Sequence, residues 1–194
     1  MSLVQVQPDG LIVDAPGPGP ERSFYDASRR VEVDRLHITG RGIEATLPGG
    51  DRVLDIHHLD HPGKAYGDDD LVSVGFSAHY DAMRDEFGEH MVDGTAGENI
   101  IIEYPGEVWP EDLADTLAME NQDTGELARF HSVGFATPCV EFSRFCAQRV
   151  DDDVSAGRLA EILRFLGRGR RGFLLLLNDA HGPVTVRPGD RVFL

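Results

Sequence analysis

The chain has 194 residues, with 34 acids against 18 bases and a formal net charge of −16. A field of that sign repels phosphate backbones and anionic lipid, so neither nucleic acid nor a membrane surface is expected as a partner, while 41% hydrophobic residues suffice for a folded core. The longest purely apolar run, Phe173 to Leu177, is far too short for a bilayer span, and Met1 to Gln7 carries no basic stretch followed by an apolar one, so a cytoplasmic location is expected.

Leu3 to Val13 reads as one or two short strands, and Pro16-Gly17-Pro18-Gly19-Pro20 as a loop. Residues 1–30 are thus expected to be N-terminal strands and a Pro/Gly-rich linker packed on a main domain of residues 31–194. In Val31 to Thr39 the apolar positions change phase, from Val31 and Val33 to Leu36 and Ile38, which predicts a bulge or strong bend of the kind that closes a barrel. Ile43 to Leu47 and Arg52 to Ile56 flank Pro48-Gly49-Gly50-Asp51 as a hairpin, and His57 to Asp70 reads as a solvated loop. Leu71 to Phe76 is a strand. Ser77 to Met91 is a helix with Ser77 as cap and a stripe of Tyr80, Met83, Phe87 and Met91. Asn99 to Tyr104 and Leu127 to Ala136 are strands. Pro138 opens a helix through Val150, and Ser155 to Leu166 is a second, ended by Gly167. Phe173 to Leu177 reads as a strand buried on both faces; Val184 to Arg187 and Arg191 to Leu194 are strands joined at Pro188-Gly189-Asp190. About nine strands and three helices without regular interleaving predict a mainly β barrel with peripheral helices.

Two cysteines, Cys139 and Cys146, cannot build a disulfide scaffold. Cys139, in Thr137-Pro138-Cys139, falls in the first turn of a predicted helix, where unpaired amides and the helix dipole favour a thiolate; the alternative is a small core residue. Cys146, near Phe142 and Phe145, reads as core. Gly167-Arg168-Gly169-Arg170-Arg171-Gly172 is the one basic cluster. It reads either as a cradle for a small phosphorylated ligand or as a solvated turn balancing Asp151 to Asp153, and it is not a Walker loop. In Gly97-Glu98-Asn99 the asparagine either closes a turn or offers an amide to a heterocycle. His57, His58 and His61 with Asp60 have loop spacing for metal ligands but lack a nearby cysteine, so exposed loop histidines are the expectation. His79 is a cap or pocket residue. A nucleophilic pair of Cys139 and His131 would need an orienting third group that the sequence does not supply.

Four separated segments carry a resemblance: Phe76-Ser77-Ala78-His79-Tyr80 through Phe87-Gly88; Gly97-Glu98-Asn99-Ile100; Thr137-Pro138-Cys139; and Arg171-Gly172-Phe173 followed by Gly182-Pro183-Val184 and Pro188-Gly189-Asp190-Arg191-Val192. In that order, from about Val31 to Leu194, the chain resembles the MOSC domain, the module named for the C-terminus of molybdenum cofactor sulfurase. The resemblance implies a barrel-like β fold and a molybdenum–pterin cofactor. It implies that Cys139 carries sulfur or ligates molybdenum, that Glu98 and Asn99 frame the pocket, and that Arg171 contacts an anion; Arg168 and Arg170 are cofactor-binding candidates from the basic cluster itself. Implied activities are sulfur transfer to the cofactor or molybdenum-dependent reduction of small N-oxygenated compounds, with a cysteine desulfurase or a redox protein as partner; the alternative is a non-catalytic binding module. Pyridoxal phosphate is not expected, because its Schiff base needs a lysine and only Lys64, in a polar loop, is present.

Overall fold

Among the described residues, short alternating segments build two larger sheets, a two-stranded one and two separate apolar cores. The computed structural model describes residues 1–14, 23–64, 67, 71–113, 116–148, 154–178 and 182–194. The Pro16 to Pro20 loop, the aspartates at 68–70 and 151–153, and Val150 lie outside the described residues. In chain order the elements are β1 (Leu3–Val6), β2 (Ile12–Asp14), β3 (Ser23–Tyr25), β4 (Val31–Glu32), β5 (Leu36–Thr39), β6 (Gly42–Thr46), β7 (Arg52–Leu54), β8 (Val72–Phe76), α1 (Ser77–Phe87), β9 (Ile100–Ile102), β10 (Thr116–Glu120), β11 (Leu127–Phe135), α2 (Val140–Cys146), α3 (Ala156–Leu166), β12 (Phe173–Leu177), β13 (Val184–Val186) and β14 (Arg191–Phe193).

The large sheet has the order β14-β10-β11-β12-β8-β9-β1-β4, the small one β13-β5-β6-β7, and β2 pairs with β3. Neighbours run antiparallel except β8 and β9; that parallel pair needs a long crossover, which α1 and the loop after it provide. The mainly β expectation holds, with three α-helices, but the sheets do not close into a barrel. The phase change in Val31 to Thr39 is where the chain leaves one sheet for the other: β4 ends the large sheet beside β1, and β5 starts again in the small one. A break of two short strands replaces the bend that a barrel would need.

The small sheet covers one face of the large one. Leu36, Ile38 and Ile43 meet Val4, Val74, Phe130, Phe173 and Leu175 there, all buried. The helices cover part of the other face, where Tyr80, Met83, Phe142, Ile162 and Leu166 form the second core with Ile101. The three isoleucines of β9 show the two-sided burial: Ile100 and Ile102 face the first core and Ile101 the second. In β12 the burial is complete on one face only, since Leu174 and Leu176 are half-buried.

Two helix starts differ from expectation. At α1 the cap is Phe76, without a side-chain bond, because the Ser77 hydroxyl is engaged with the Tyr104 backbone, donating to its carbonyl at 3.2 Å and accepting from its N–H at 3.1 Å. At α2 the cap is Cys139 itself, with φ −104° and ψ 164°, and helical geometry starts only at Val140. Gly167 ends α3 as predicted, while Ser155, read as its first residue, is its cap. Among the described residues no helix is long and apolar enough to cross a membrane.

Candidate functional site

The loop from Val92 to Asn99 is a fastened platform. It turns through positive φ at Gly94 and Gly97, and three buried side chains bind its backbone. Gln5 of β1 donates through Nε2 to the carbonyls of Gly94 and Glu98 at 2.8 and 2.6 Å; Gln7 donates to Gly97; the Tyr25 hydroxyl donates to Thr95 at 2.8 Å. Glutamines in an otherwise apolar strand are therefore there to hold this loop, which answers the cost of burying their amides.

Glu98, at the end of the platform, is 2% exposed. The Tyr80 hydroxyl donates to its Oε2 at 2.5 Å and itself accepts from the Ala96 N–H at 3.0 Å, while Oε1 has no hydrogen-bond partner. Burial pushes the carboxyl up to about 7, against the pull of the Tyr80 hydrogen bond and of the Arg171 and Arg30 charges. Two glycines make its room. A Cβ on Gly75 would lie 2.6 Å from Glu98 Oε1, and one on Gly172 2.8 Å from Glu98 Cγ. The fold thus accommodates a buried carboxyl that it leaves half unsatisfied.

Arg171 stands at the same cleft. Its guanidinium lies 5.3 Å over the Phe142 ring and donates through Nη1 to the Thr137 carbonyl, two residues before Cys139. Its Nε is buried without a partner. The cleft between these groups is lined by Gln7, Ile12, His57, Glu98, Arg171 and Leu174, and its cavity of about 90 Å³ is smaller than the usual small-molecule site.

Cys139 is half-buried and packs against the second core beside Phe142. Its Sγ accepts from the Phe142 N–H at 3.4 Å, and its carbonyl accepts from the Ser143 N–H and hydroxyl at 3.0 and 2.8 Å. Glu98, Arg171 and the Cys139 sulfur all act electrostatically on the Tyr25 phenol, whose ionisation burial opposes most. Cys146 is buried, and burial pushes its thiol up to about 12, the behaviour of a core residue.

The remaining sequence candidates fall in other places. Asn99 is buried: its Oδ1 accepts from the Ser73 N–H and hydroxyl at 3.0 and 2.9 Å, and its Nδ2 donates to Asp55 Oδ2 at 2.8 Å. Arg168 and Arg170 lie on an outer face, paired with Glu111 and Glu107 and placed 5.8 and 5.0 Å from the Trp109 ring. In the turn they occupy, the Arg170 and Gly172 amides close on Gly167 and Gly169. The loop histidines are engaged separately. His57 Nδ1 meets Asp55 at 2.7 Å, His58 accepts from Asp60 N–H at 3.1 Å, and His61 meets Pro8 carbonyl and Gly63 N–H. Among the described residues no group of three or more His, Cys, Asp or Glu is arranged to hold a metal. His79 is buried and accepts from Val108 N–H, and burial lowers it to about 4. His131 is an exposed strand residue hydrogen-bonded to Asn178.

Sequence reading assigned Tyr80 to an apolar stripe and did not single out Gln5, Gln7, Tyr25 or Asp55. Two glutamines at alternate positions of an apolar strand were the available signal for the clamps; nothing local marked Asp55. A larger groove of about 240 Å³ lies on the other side of Tyr25, between Phe24 and Phe145. Ser23 and Glu141 bond each other there, as do Gln148 and His90, so it lacks the unpaired buried groups that mark the Glu98 cleft.

Two solved structures share this arrangement of strands and helices. The YuaD protein from Bacillus subtilis superposes with a TM-score of 0.53 at 13% identity, covering 98% of this chain and 94% of its own. A second, described only as a hypothetical protein, gives 0.51 at 16% identity, covering 84% of this chain and 61% of its own. No protein of curated function matches the sequence. The MOSC domain family model matches residues 62–193, a segment that carries Glu98, Asn99, Cys139 and Arg171. With that match spanning most of its 194 residues, the chain belongs to the MOSC domain family.

Proposed function

We propose that the cleft between Glu98 and Arg171 holds a molybdenum–pterin cofactor and that Cys139 supplies sulfur to its metal, as a thiolate ligand or as a persulfide carrier. The observation that carries this reading is the pair of buried polar atoms left without partners, Glu98 Oε1 and Arg171 Nε, in the wall of one cleft. Unsatisfied buried groups cost about 1–3 kcal/mol each, and a heterocycle bearing both acceptors and N–H donors satisfies both. Gly75 and Gly172 keep the carboxyl's place open. A thiol at a helix cap is a soft donor that suits molybdenum.

In this reading Arg171 orients the Cys139 loop through the Thr137 carbonyl while its Nε meets the ligand. Glu98, held by Tyr80, presents its second oxygen to the ligand's polar edge. Asn99 keeps the strand in place from behind. When bound, the metal supplies two-electron chemistry at an open coordination position. That suits reduction of small N-oxygenated compounds with electrons from a redox protein, or sulfur transfer to the cofactor from a cysteine desulfurase. Arg168 and Arg170, spent on Glu111 and Glu107, have no part in it.

The test is expression in a host that makes molybdenum cofactor, followed by elemental analysis and pterin fluorescence. Wild type is expected to carry molybdenum and pterin together. If Cys139 is a metal ligand, Cys139→Ala should lose about tenfold of the metal; a full metal complement in the variant disproves direct ligation and leaves only the carrier role. Sulfur loading by a desulfurase separates the two roles: a carrier gains one sulfur atom on Cys139 by intact mass, a permanent ligand does not.

A further inference from the structure

We propose that the empty cleft keeps Glu98 as a neutral acid with its proton on Oε1, and that an entering heterocycle displaces this proton with a ring N–H, so that capture strengthens as pH rises. The inference rests on the reading of the cleft as the cofactor site. It adds the chemistry and the regulation of the polar end: the ligand presents an uncharged edge in which an N–H donor stands beside an acceptor.

The place of the proton follows from the hydrogen bonds. The Tyr80 hydroxyl accepts from the Ala96 N–H at 3.0 Å, and among the described residues its own hydrogen has no acceptor but Glu98 Oε2, at 2.5 Å. Oε2 is therefore an acceptor in either state of the carboxyl, and a proton held by Glu98 sits on Oε1. Oε1 is buried without a partner, in room left by the missing Cβ atoms of Gly75 and Gly172. A buried carboxylate without a paired cation is costly to keep charged. Arg171 and Arg30 pull on Glu98 only through space, and burial outweighs them, raising the carboxyl to about 7. The other ionisable groups at the cleft are Tyr25, whose ionisation burial opposes, and His57, hydrogen-bonded to Asp55.

A ligand N–H reverses this balance. The Oε1–H bond breaks, its proton leaves to solvent, and the ionised Oε1 accepts from the ring N–H in a charge-assisted bond. Arg171 Nε, the other buried unpaired atom of the cleft wall, donates to the neighbouring acceptor. No electrons are transferred. The cavity of about 90 Å³ takes an edge of the ligand rather than its whole body, and the amino-pyrimidinone edge of a pterin offers both groups. Below about 7 the empty site must give up a proton to bind; above it the carboxyl is already ionised and capture levels off.

Calorimetry on the full chain purified without cofactor tests this, with pterin itself as the probe. Wild type should release about one proton per pterin at about pH 5.5 and under about half a proton at about pH 7.5, read from buffers of different ionisation heat. Its Kd should tighten about tenfold per pH unit from about pH 5 to about pH 6.5. Glu98→Gln must keep its amide oxygen toward Tyr80, which turns the NH₂ group against the ligand's N–H; it should bind about tenfold more weakly at about pH 7.5 and without a pH slope. Dimethyllumazine, a pteridine whose pyrimidine N–H groups are both methylated, should bind weakly and release no proton. A flat wild-type Kd, binding without proton release at about pH 5.5, or equal affinity for dimethyllumazine overturns the proposal and leaves the cofactor reading standing. Carboxyl ¹³C spectra of the empty protein need no ligand: Glu98 should titrate near 7, and a carboxyl fully ionised at about pH 5 overturns the proposal as well. Pterin that binds at no pH also overturns it, whereas wild type that carries neither molybdenum nor pterin from a cofactor-making host defeats the reading beneath it.

Discussion

The cleft and the outer face around Trp109 are built from the same turn and similar residues, yet they treat charge in opposite ways. On the outer face Arg168 and Arg170 each meet a glutamate and a ring, and Arg170 adds the Phe165 carbonyl. Each of these arginines has a carboxylate partner, Arg168 in the open and Arg170 with its side chain only 14% exposed. At the cleft, one residue further on, Arg171 keeps a buried nitrogen unpaired and faces a carboxyl with an unpaired oxygen. Both arginines lie in the turn that precedes β12, yet a single step along the sequence separates one paired with Glu107 from one whose Nε has no partner. The difference teaches that a basic cluster is not one site; what distinguishes its members is which of them the fold leaves unsatisfied.

The contrast can be broken most severely at Gly172, which sits at φ +112° with Glu98 Cγ 2.8 Å and the Val74 carbonyl 2.9 Å from any added Cβ. Gly172→Ala should cost about 3 kcal/mol, a fall in Tm of about 6–12 °C by thermal melting, and should close the cleft to cofactor. Glu98→Gln sharpens the contrast instead. Because the folded carboxyl titrates near 7 against an ordinary value of 4.5, the native state holds a proton that the unfolded chain has lost between those values. Wild-type stability at this residue is therefore full below pH 4.5, declines as pH rises to about 7 and is flat beyond. The variant should be neutral at pH 4.5 and more stable than wild type by about 2–3 kcal/mol at pH 8, while losing cofactor. An equal difference at both values would show that the carboxyl is not neutral in the fold. On the outer face, Arg170→Ala should cost only about 1–2 kcal/mol through its lost ring contacts. Arg168→Ala should leave Tm unchanged, and neither should alter molybdenum content; a loss of metal in either variant would erase the distinction drawn between the two faces.

Much of the strand order's raw material was legible. The β6–β7 hairpin, β8, β11, α3 and the last two strands follow from apolar spacing and turn residues at nearly their observed limits. Sheet membership was not, because a phase change reads the same whether a strand bends or the chain crosses between sheets. β3 has only three residues next to a Pro/Gly-rich loop, and β10 offers only Leu117 and Met119 as large apolar residues between polar ends. Of the candidate residues, Glu98 and Arg171 line one cleft, while Cys139, which the helix start had marked before the family pattern did, packs against the second core. Asp55 and His57 sit two apart; His57 was weighed only with His58, His61 and Asp60 as a loop histidine, and nothing local marked Asp55. Only the coordinates pair them, because their alignment depends on Gln7 and Asn99 from distant strands.

The position of β1 has a further consequence. It lies inside the large sheet between β9 and β4, and it is followed at once by Gln7, which with Gln5 anchors the platform some ninety residues away. A fragment limited to residues 62–193 would strip β9 of its neighbour, present an isoleucine-rich edge to other chains, and release the Glu98 loop from its anchors. Engineering or transplanting this domain by the bounds of its family match would thus invite aggregation and remove the scaffold beneath the chemistry it was meant to carry.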